Sequence, residues 1–447
     1  MSDSASRFPS RKLRYYTLRN IEKHRLWNSI PAETREAIRV VGQVLPFRVN
    51  DYVLDQLIDW SAIPDDPIYR LVFPQPGMLS DGDYRRVAEA LQRHAPADEL
   101  KRVVHEIRQT LNPNPAGQME LNVPLVEGNP IPGIQHKYHE TVLFFPSAGQ
   151  TCHAYCTFCF RWPQFVGESD YRFAARETDD LVAYLAGQPQ VSDVLVTGGD
   201  PLVMSTDVLR RYLQPLLDAK PEWPSTIRIG SKALAYWPAR FVTDADADDL
   251  LRFFEEIVAS GRNLAFMAHF NHYTELSTPI VLEAIRRIRS TGAMIRTQSP
   301  VVRHINDSAE VWRRLWSESI KHGMVPYYMF VERDTGARNY FSLPLARAWE
   351  IFREAASGVS GLARTVRGPS MSTTAGKVEI LGPAYIGEER VLVLRFLQGR
   401  NPEWTYRPFF AHYDEEATWL SELKPAQNAE RFFFEDELQS MIDSDNR

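Results

Sequence analysis

The chain has 447 residues, 44% hydrophobic and 24% charged, with a formal net charge of -6. That is enough apolar material for a sizeable core, and the acidic balance excludes nucleic acid as the main partner, because phosphate binding needs a basic face. No apolar run approaches the roughly 20 residues of a spanning helix, the start lacks the apolar segment of a secretory signal, and three clustered cysteines cannot frame disulfides, so a cytoplasmic protein with no membrane partner is expected.

Residues 1–135 are expected to form a mainly helical N-terminal region. Helical periodicity runs through Asn50–Trp60, Asp81–His94 and Glu99–Leu111. Proline-rich joints separate these stretches, since proline fixes φ and lacks an N–H. From residue 136 the pattern becomes strand–helix alternation. Short apolar runs at 142–146, 193–197, 226–230, 264–270, 293–298 and 325–331 predict buried strands. Amphipathic stretches between them predict helices near 178–186, 205–217, 244–261, 278–292 and 306–323. Ser205 is placed at one helix start, and Gly261, Gly292 and Gly323 at the ends of three others. Six β-α units in series predict an α/β fold with a parallel sheet. Closing partway, they give a partial (β/α)6 barrel over 136–383, with its site at the C-terminal ends of the strands. Residues 384–447 read as a strand-rich packing or oligomerisation segment.

All three cysteines, Cys152, Cys156 and Cys159, lie in TCHAYCTFCFRW just after the first barrel strand. Thiolates are soft ligands for zinc or iron–sulfur clusters. A structural zinc site is closed and needs a fourth ligand, and His153 is too close to Cys152 to fit easily. Three thiolates on a four-iron cluster leave one iron open for a further ligand. Other polar residues end successive strands: TGGDPL at 197–202, IRIGSK at 227–232, AHFNH at 268–272 and RTQSP at 296–300. Residues in such positions line a barrel's site.

The C-x3-C-x2-C spacing, placed after the first strand of a β-α series, resembles the radical S-adenosylmethionine (SAM) superfamily. The segments LPFRVNDYVLDQLIDW, PIPGIQHKYHETVLFF, TGGD, IRIGSKALAYWPARF, HFNH, VVRHINDS and VPYYMF follow in an order similar to that of the lysine 2,3-aminomutase family. The resemblance runs roughly from Leu13 to Gly399. It implies a [4Fe-4S] cluster on Cys152, Cys156 and Cys159, with SAM held near Gly198, Gly199, Asp200, Ser231, His269, Asn271 and Gln298. It also implies pyridoxal 5'-phosphate (PLP), hydrogen abstraction from the β-carbon of an amino acid, and migration of the α-nitrogen to that carbon. PLP needs a lysine amine to carry it, and GPSMSTTAGKVEILGPAYI makes Lys377 the candidate. Lys137 keeps one charge of the family's phosphate-binding segment, where Thr141 has lost the other. Arg161 corresponds to the arginine that pairs with the substrate carboxylate, a role suited to a guanidinium fork. An electron donor such as flavodoxin or ferredoxin and a homo-oligomeric state are implied as well.

The chain departs from the lysine-specific pattern where the distal ammonium is recognised. Arg333 and Arg367 stand in place of two aspartates, and Trp162 replaces a basic residue, which predicts a bulky apolar wall. A buried arginine beside a lysine ammonium is repulsive. The expected substrate is therefore an acidic or otherwise anionic amino acid. A PLP-independent hydrogen abstraction, such as an isomerisation, epimerisation or dehydrogenation, is the alternative.

Overall fold

A computed structural model describes residues 8–219 and 223–445; the expectation for residues 1–7, the absence of a signal segment, lies outside them. Its centre is an eleven-stranded mixed sheet: β1 (Ile134–Tyr138), β2 (Thr141–Phe144), β3 (Asp193–Val196), β4 (Thr226–Ser231), β5 (Asn263–His269), β6 (Met294–Val301), β7 (Val325–Val331), β8 (Arg367–Ser372), β9 (Gly376–Ile386), β10 (Glu389–Gly399) and β11 (Pro408–His412). Spatial order follows chain order throughout. Strands β2 to β8 pair in parallel, whereas β1 and β9 to β11 pair antiparallel with their neighbours.

The parallel strands need crossovers, and each crossover carries a helix. These helices are Asp179–Ala186, Thr206–Ala219, Ala247–Ala259, Pro279–Ser290, Ala309–Lys321 and Leu345–Ser357. Their apolar faces pack on the sheet, so central strands such as β5 are buried on both faces. Gly261, Gly292 and Gly323 follow helix ends with φ of 86°, 86° and 72°, a conformation that favours glycine. The sheet curls. Lys137 Nζ in β1 donates to the carbonyl of Thr373, just after β8. Seven strand spacings in a flat sheet would separate them by roughly 34 Å.

The N-terminal region is built of Ala32–Val44, Asp81–Gln92, Ala97–Thr110 and shorter turns. Ile38, Val41 and Val44 belong to the same continuous core as Val142, Val194 and Ile229 of the sheet. Two local expectations need correction. The helix expected over Asn50–Trp60 is shorter, confined to residues 51–57 and wide-wound over Val53–Leu57, with Asn50 in the two-residue strand Val49–Asn50 before it. The boundary placed at 383/384 cuts through β9, which is hydrogen-bonded along its length to β10. Residues 367–412 thus form one continuous meander over a second apolar core around Phe396, Trp404 and Phe409. Among the described residues, no helix is long and apolar enough to cross a membrane.

Candidate active site

The cysteine loop leaves the end of β2 and is fixed from two sides. From the N-terminal region, Arg48 donates to Thr151 Oγ1 (2.5 Å) and to the carbonyl of Cys152 (3.2 Å). Asn50 Nδ2 donates to the carbonyls of His153 (3.1 Å) and Tyr236 (2.9 Å). From the sheet, the N–H of Asp200 donates to the carbonyl of Thr151 at 2.7 Å. A β-carbon on Gly199 would lie 2.3 Å from that same carbonyl oxygen. The glycine pair of TGGD therefore seats the cysteine loop, where sequence reasoning assigned it to close approach of a ligand.

Burial raises all three thiols, Cys159 to about 12 and Cys152 well above the usual range, and the sulfurs repel one another as thiolates. Such thiols stay protonated unless a cationic centre holds them, and a metal inverts that balance. Among the described residues, no group of three or more His, Cys, Asp or Glu side chains is gathered as ligands of one metal ion.

Asp200 and Ser231, both expected as SAM ligands, bind each other. The Ser231 hydroxyl donates to both Asp200 oxygens at 2.8 and 3.0 Å, and the N–H groups of Leu202 and Lys232 complete the carboxylate's shell. Burial nevertheless raises Asp200 to about 6. Their geometry joins the β3 turn to the end of β4. Neighbouring polar atoms remain open: Gln150 Oε1, His269 Nε2 and Asn271 Nδ2 are buried without a hydrogen-bond partner. His269 faces the cysteine loop, its ring 6.1 Å from that of Phe158.

The strand register continues this line. His269 of β5 pairs with Gln298 of β6, Gln298 with Tyr328 of β7, and Tyr328 with Arg367 of β8. Residues in register on parallel strands share a face. One row therefore leads from the cysteine loop to Arg367 across three strand spacings, about 14 Å. Lys377 lies at its far end. Its Nζ is 4.1 Å from the centre of the Tyr328 ring, and the Arg367 guanidinium sits 4.3 Å from the same ring. Burial, aided by the charges of Arg228 and Arg367, lowers Lys377 to about 7. Gly368 is obligatory in this strand, because with φ at 135° an added β-carbon would lie 2.2 Å from the carbonyl of Met329. A cavity of about 280 Å³ opens here, lined by Tyr138, Tyr327, Tyr328, Arg367 and Gln398 among others.

Arg161 and Arg333 form a second group. Their guanidiniums lie 5.1 and 5.2 Å from the Phe160 ring. Neither is ion-paired among the described residues, and Arg333 Nε is buried without a partner. Burial, aided by the charge of Arg333, lowers Arg161 to about 10. Asp334, next door, instead meets Asn112 Nδ2 at 3.3 Å. Arg333 stands beside Arg161 and Arg367 beside Lys377, with Lys137 within electrostatic reach of both Arg333 and Lys377.

Trp162 is a correction. It is 2% exposed, and its Nε1–H donates to Thr335 Oγ1 at 3.0 Å. It is a buried strut for the turn that carries Arg333, not a wall. Lys137 is held far below the usual lysine range by burial, and its ammonium is already engaged by Thr373. Beside Thr141 a guanidinium does appear: Arg228 Nη2 lies 3.4 Å from Thr141 Oγ1 and pairs with Asp193 at 2.7 Å.

Sequence reasoning missed Arg48, Lys232, Tyr236 and Glu275. Arg48 and Asn50 lie over 100 residues before the loop they hold, so no local pattern marks them. Lys232 and Tyr236 stood inside IRIGSKALAYWPARF, where the spacing of a lysine and a tyrosine on one short helical turn was the available signal.

No family model matches the chain. Curated relatives do. A putative L-lysine 2,3-aminomutase of Aquifex aeolicus is 30% identical over 393 residues, 88% of this chain and 91% of the relative. An L-lysine 2,3-aminomutase of Fusobacterium nucleatum is 30% identical over 295 residues, 65% and 66% of the two chains. That of Clostridium subterminale is 24% identical over 344 residues, 77% and 71%.

Proposed function

Because the chain belongs to the lysine 2,3-aminomutase family, we propose that it is a radical SAM isomerase that uses PLP and moves the α-amino group of an anionic amino acid to the β-carbon. The row His269–Gln298–Tyr328–Arg367, with Lys377 beside its end, carries this reading. It aligns a cysteine loop and a half-neutral amine on one face of the sheet.

The residues fit the groups the family uses. Three half-buried thiols within electrostatic reach of one another suit a cationic cluster. The partnerless Gln150, His269 and Asn271 atoms suit a polar ligand beside it. When bound, the cluster and SAM supply a carbon radical that removes hydrogen, and PLP supplies a carbonyl for the migrating nitrogen. In this reading the curled parallel strands are a partial (β/α)6 barrel. Cys152, Cys156 and Cys159 hold iron; the Gly198–Gly199 turn, Asp200 and Ser231 shape the pocket floor, and His269, Asn271 and Gln298 face SAM.

Lys377 offers a neutral amine at neutral pH because burial and two guanidiniums disfavour its charge. Arg228 and Arg367 place positive charge around that end, and the Lys137 amine, depressed by burial, lies beside it. Arg161 and Arg333 hold carboxylates: both are half-buried, neither is ion-paired among the described residues, and they are close enough to repel each other. An anion between them relieves both costs. A lysine ammonium there adds to them. The electron donor is a small reductant such as ferredoxin or flavodoxin, and the protein works as a homo-oligomer. Lys377 favours the PLP-dependent reaction over a PLP-independent abstraction.

The test is anaerobic reconstitution with iron, sulfide, SAM, PLP and a reductant, then mass spectrometry for β-amino products from glutamate, aspartate and lysine. Products from an acidic substrate, lost in Lys377→Ala, are expected. Preferential turnover of lysine refutes the anionic assignment; release of 5'-deoxyadenosine without any β-amino product refutes the aminomutase.

A further inference from the structure

Cys156 differs from the other two cysteines in having a hydroxyl against its sulfur. Tyr236 Oη lies 3.2 Å from Cys156 Sγ, within the reach of an O–H···S hydrogen bond. The tyrosine is 1% exposed, and its hydroxyl has no other partner among the described residues. Its backbone is pinned: the carbonyl accepts from Asn50 Nδ2 at 2.9 Å, and the N–H donates to the carbonyl of Lys232 at 2.9 Å. The face of the ring meets a buried ammonium, with Lys232 Nζ 4.6 Å from its centre. Lys232 is held in turn by Glu275 (2.6 Å), Asn271 Oδ1 (2.9 Å) and the carbonyl of His269 (3.2 Å). The chain Glu275–Lys232–Tyr236–Cys156 thus ends on one sulfur, whereas Cys159 meets only the backbone N–H of Arg161 among the described residues.

We propose that Tyr236 is a positioning residue that donates a hydrogen bond to the Cys156 thiolate of the bound cluster and raises its reduction potential, with Lys232 strengthening the donor through the ring. This rests on the cluster assignment above. A hydrogen bond to a cluster sulfur stabilises the reduced, more negative state, one of the ways a protein sets such potentials. The cation over the ring draws density from the phenol and makes its O–H a better donor.

The experiment is a potentiometric titration of the reconstituted protein, followed by electron paramagnetic resonance without SAM or substrate. Tyr236→Phe, which keeps the ring, should bind the same iron per chain. Its midpoint should move negative, cutting the reduced fraction at fixed potential by roughly threefold to tenfold, where a factor of ten is about 59 mV. An unmoved midpoint at full iron content overturns the proposal. Should Tyr236→Phe not take up iron, the unaltered protein still decides. Its Fe–S(Cys) stretching bands should shift between H2O and D2O if an exchangeable proton sits on a ligand sulfur, and their coincidence overturns the proposal. Failure of the unaltered protein to assemble a cluster instead refutes the site assignment on which it rests.

Discussion

Lys377 offers the sharpest quantitative test. An ordinary lysine titrates at 10.5, and this one at about 7. At pH 7 the neutral, nucleophilic fraction is then about one half instead of roughly one in 3000, a gain on the order of 10³. Covalent capture of PLP, followed by visible absorbance and fixed by borohydride reduction for peptide mapping, should rise with pH to a plateau just above neutrality. Burial is the largest cause of the shift, ahead of the charges of Arg228 and Arg367. Arg367→Met should therefore move the midpoint upward by less than about one unit, slowing capture at pH 7 by less than about tenfold. Phe330, whose ring centre lies 5.6 Å from the amine, offers the opposite perturbation. Phe330→Asp puts an anion beside Lys377, and such a neighbour favours the charged form by about 1–3 units. Capture at pH 7 should fall about 5- to 500-fold and recover at high pH. A wild-type profile that still climbs through pH 9, or an unmoved Phe330→Asp midpoint, would refute the reasoning.

The same shift has a stability sign. Between about 7 and 10.5 the unfolded chain holds a proton on Lys377 that the folded chain does not, so stability rises with pH in that window. The PLP-free protein should gain stability from pH 7 to 8 in urea titrations, and Lys377→Met should remove its share of that gain, leaving the share of Lys137, which has the same sign; the upper limit stays below the ordinary thiol value of 9.0, above which the raised thiols act in the opposite sense. Gly199→Ala forces a β-carbon to 2.3 Å from the Thr151 carbonyl and should cut iron bound per chain after reconstitution by at least about half, while circular dichroism stays unchanged. Trp162→Phe loses the bond to Thr335 and should cost about 1–2 kcal/mol in urea. It should also raise KM for the acidic substrate without slowing PLP capture.

The strands were legible because a parallel sheet buried on both faces leaves continuous apolar runs; Val325–Val331 falls where its sequence places it. Helix ends were legible where glycine marks them. The helix Ala32–Val44 was not, since its N-cap is Pro31 without a side-chain cap and valines weaken its local signal. Asn50 misled the reading of 50–60: its side chain leaves the helix pattern to bind the backbones of two distant loops and of Val53. At the site, the sequence points to the cysteines, Lys377 and the arginines. It does not reveal that Asp200 and Ser231 satisfy each other, or that Arg333 lies beside Arg161, because strand register and curl set those pairings. Trp162 illustrates the limit, since its residue type says bulk and only the fold says strut.

That strut ties two jobs together. The Trp162 N–H donates to the carbonyl of Cys159 at 3.1 Å, while its indole holds Thr335 two residues beyond Arg333. The loop that would house the iron and the turn that would grip the substrate share one rigid member. If the proposed roles hold, damage at the loop should not stay local: loss of iron should also loosen the hold of the Arg333 turn through this one indole.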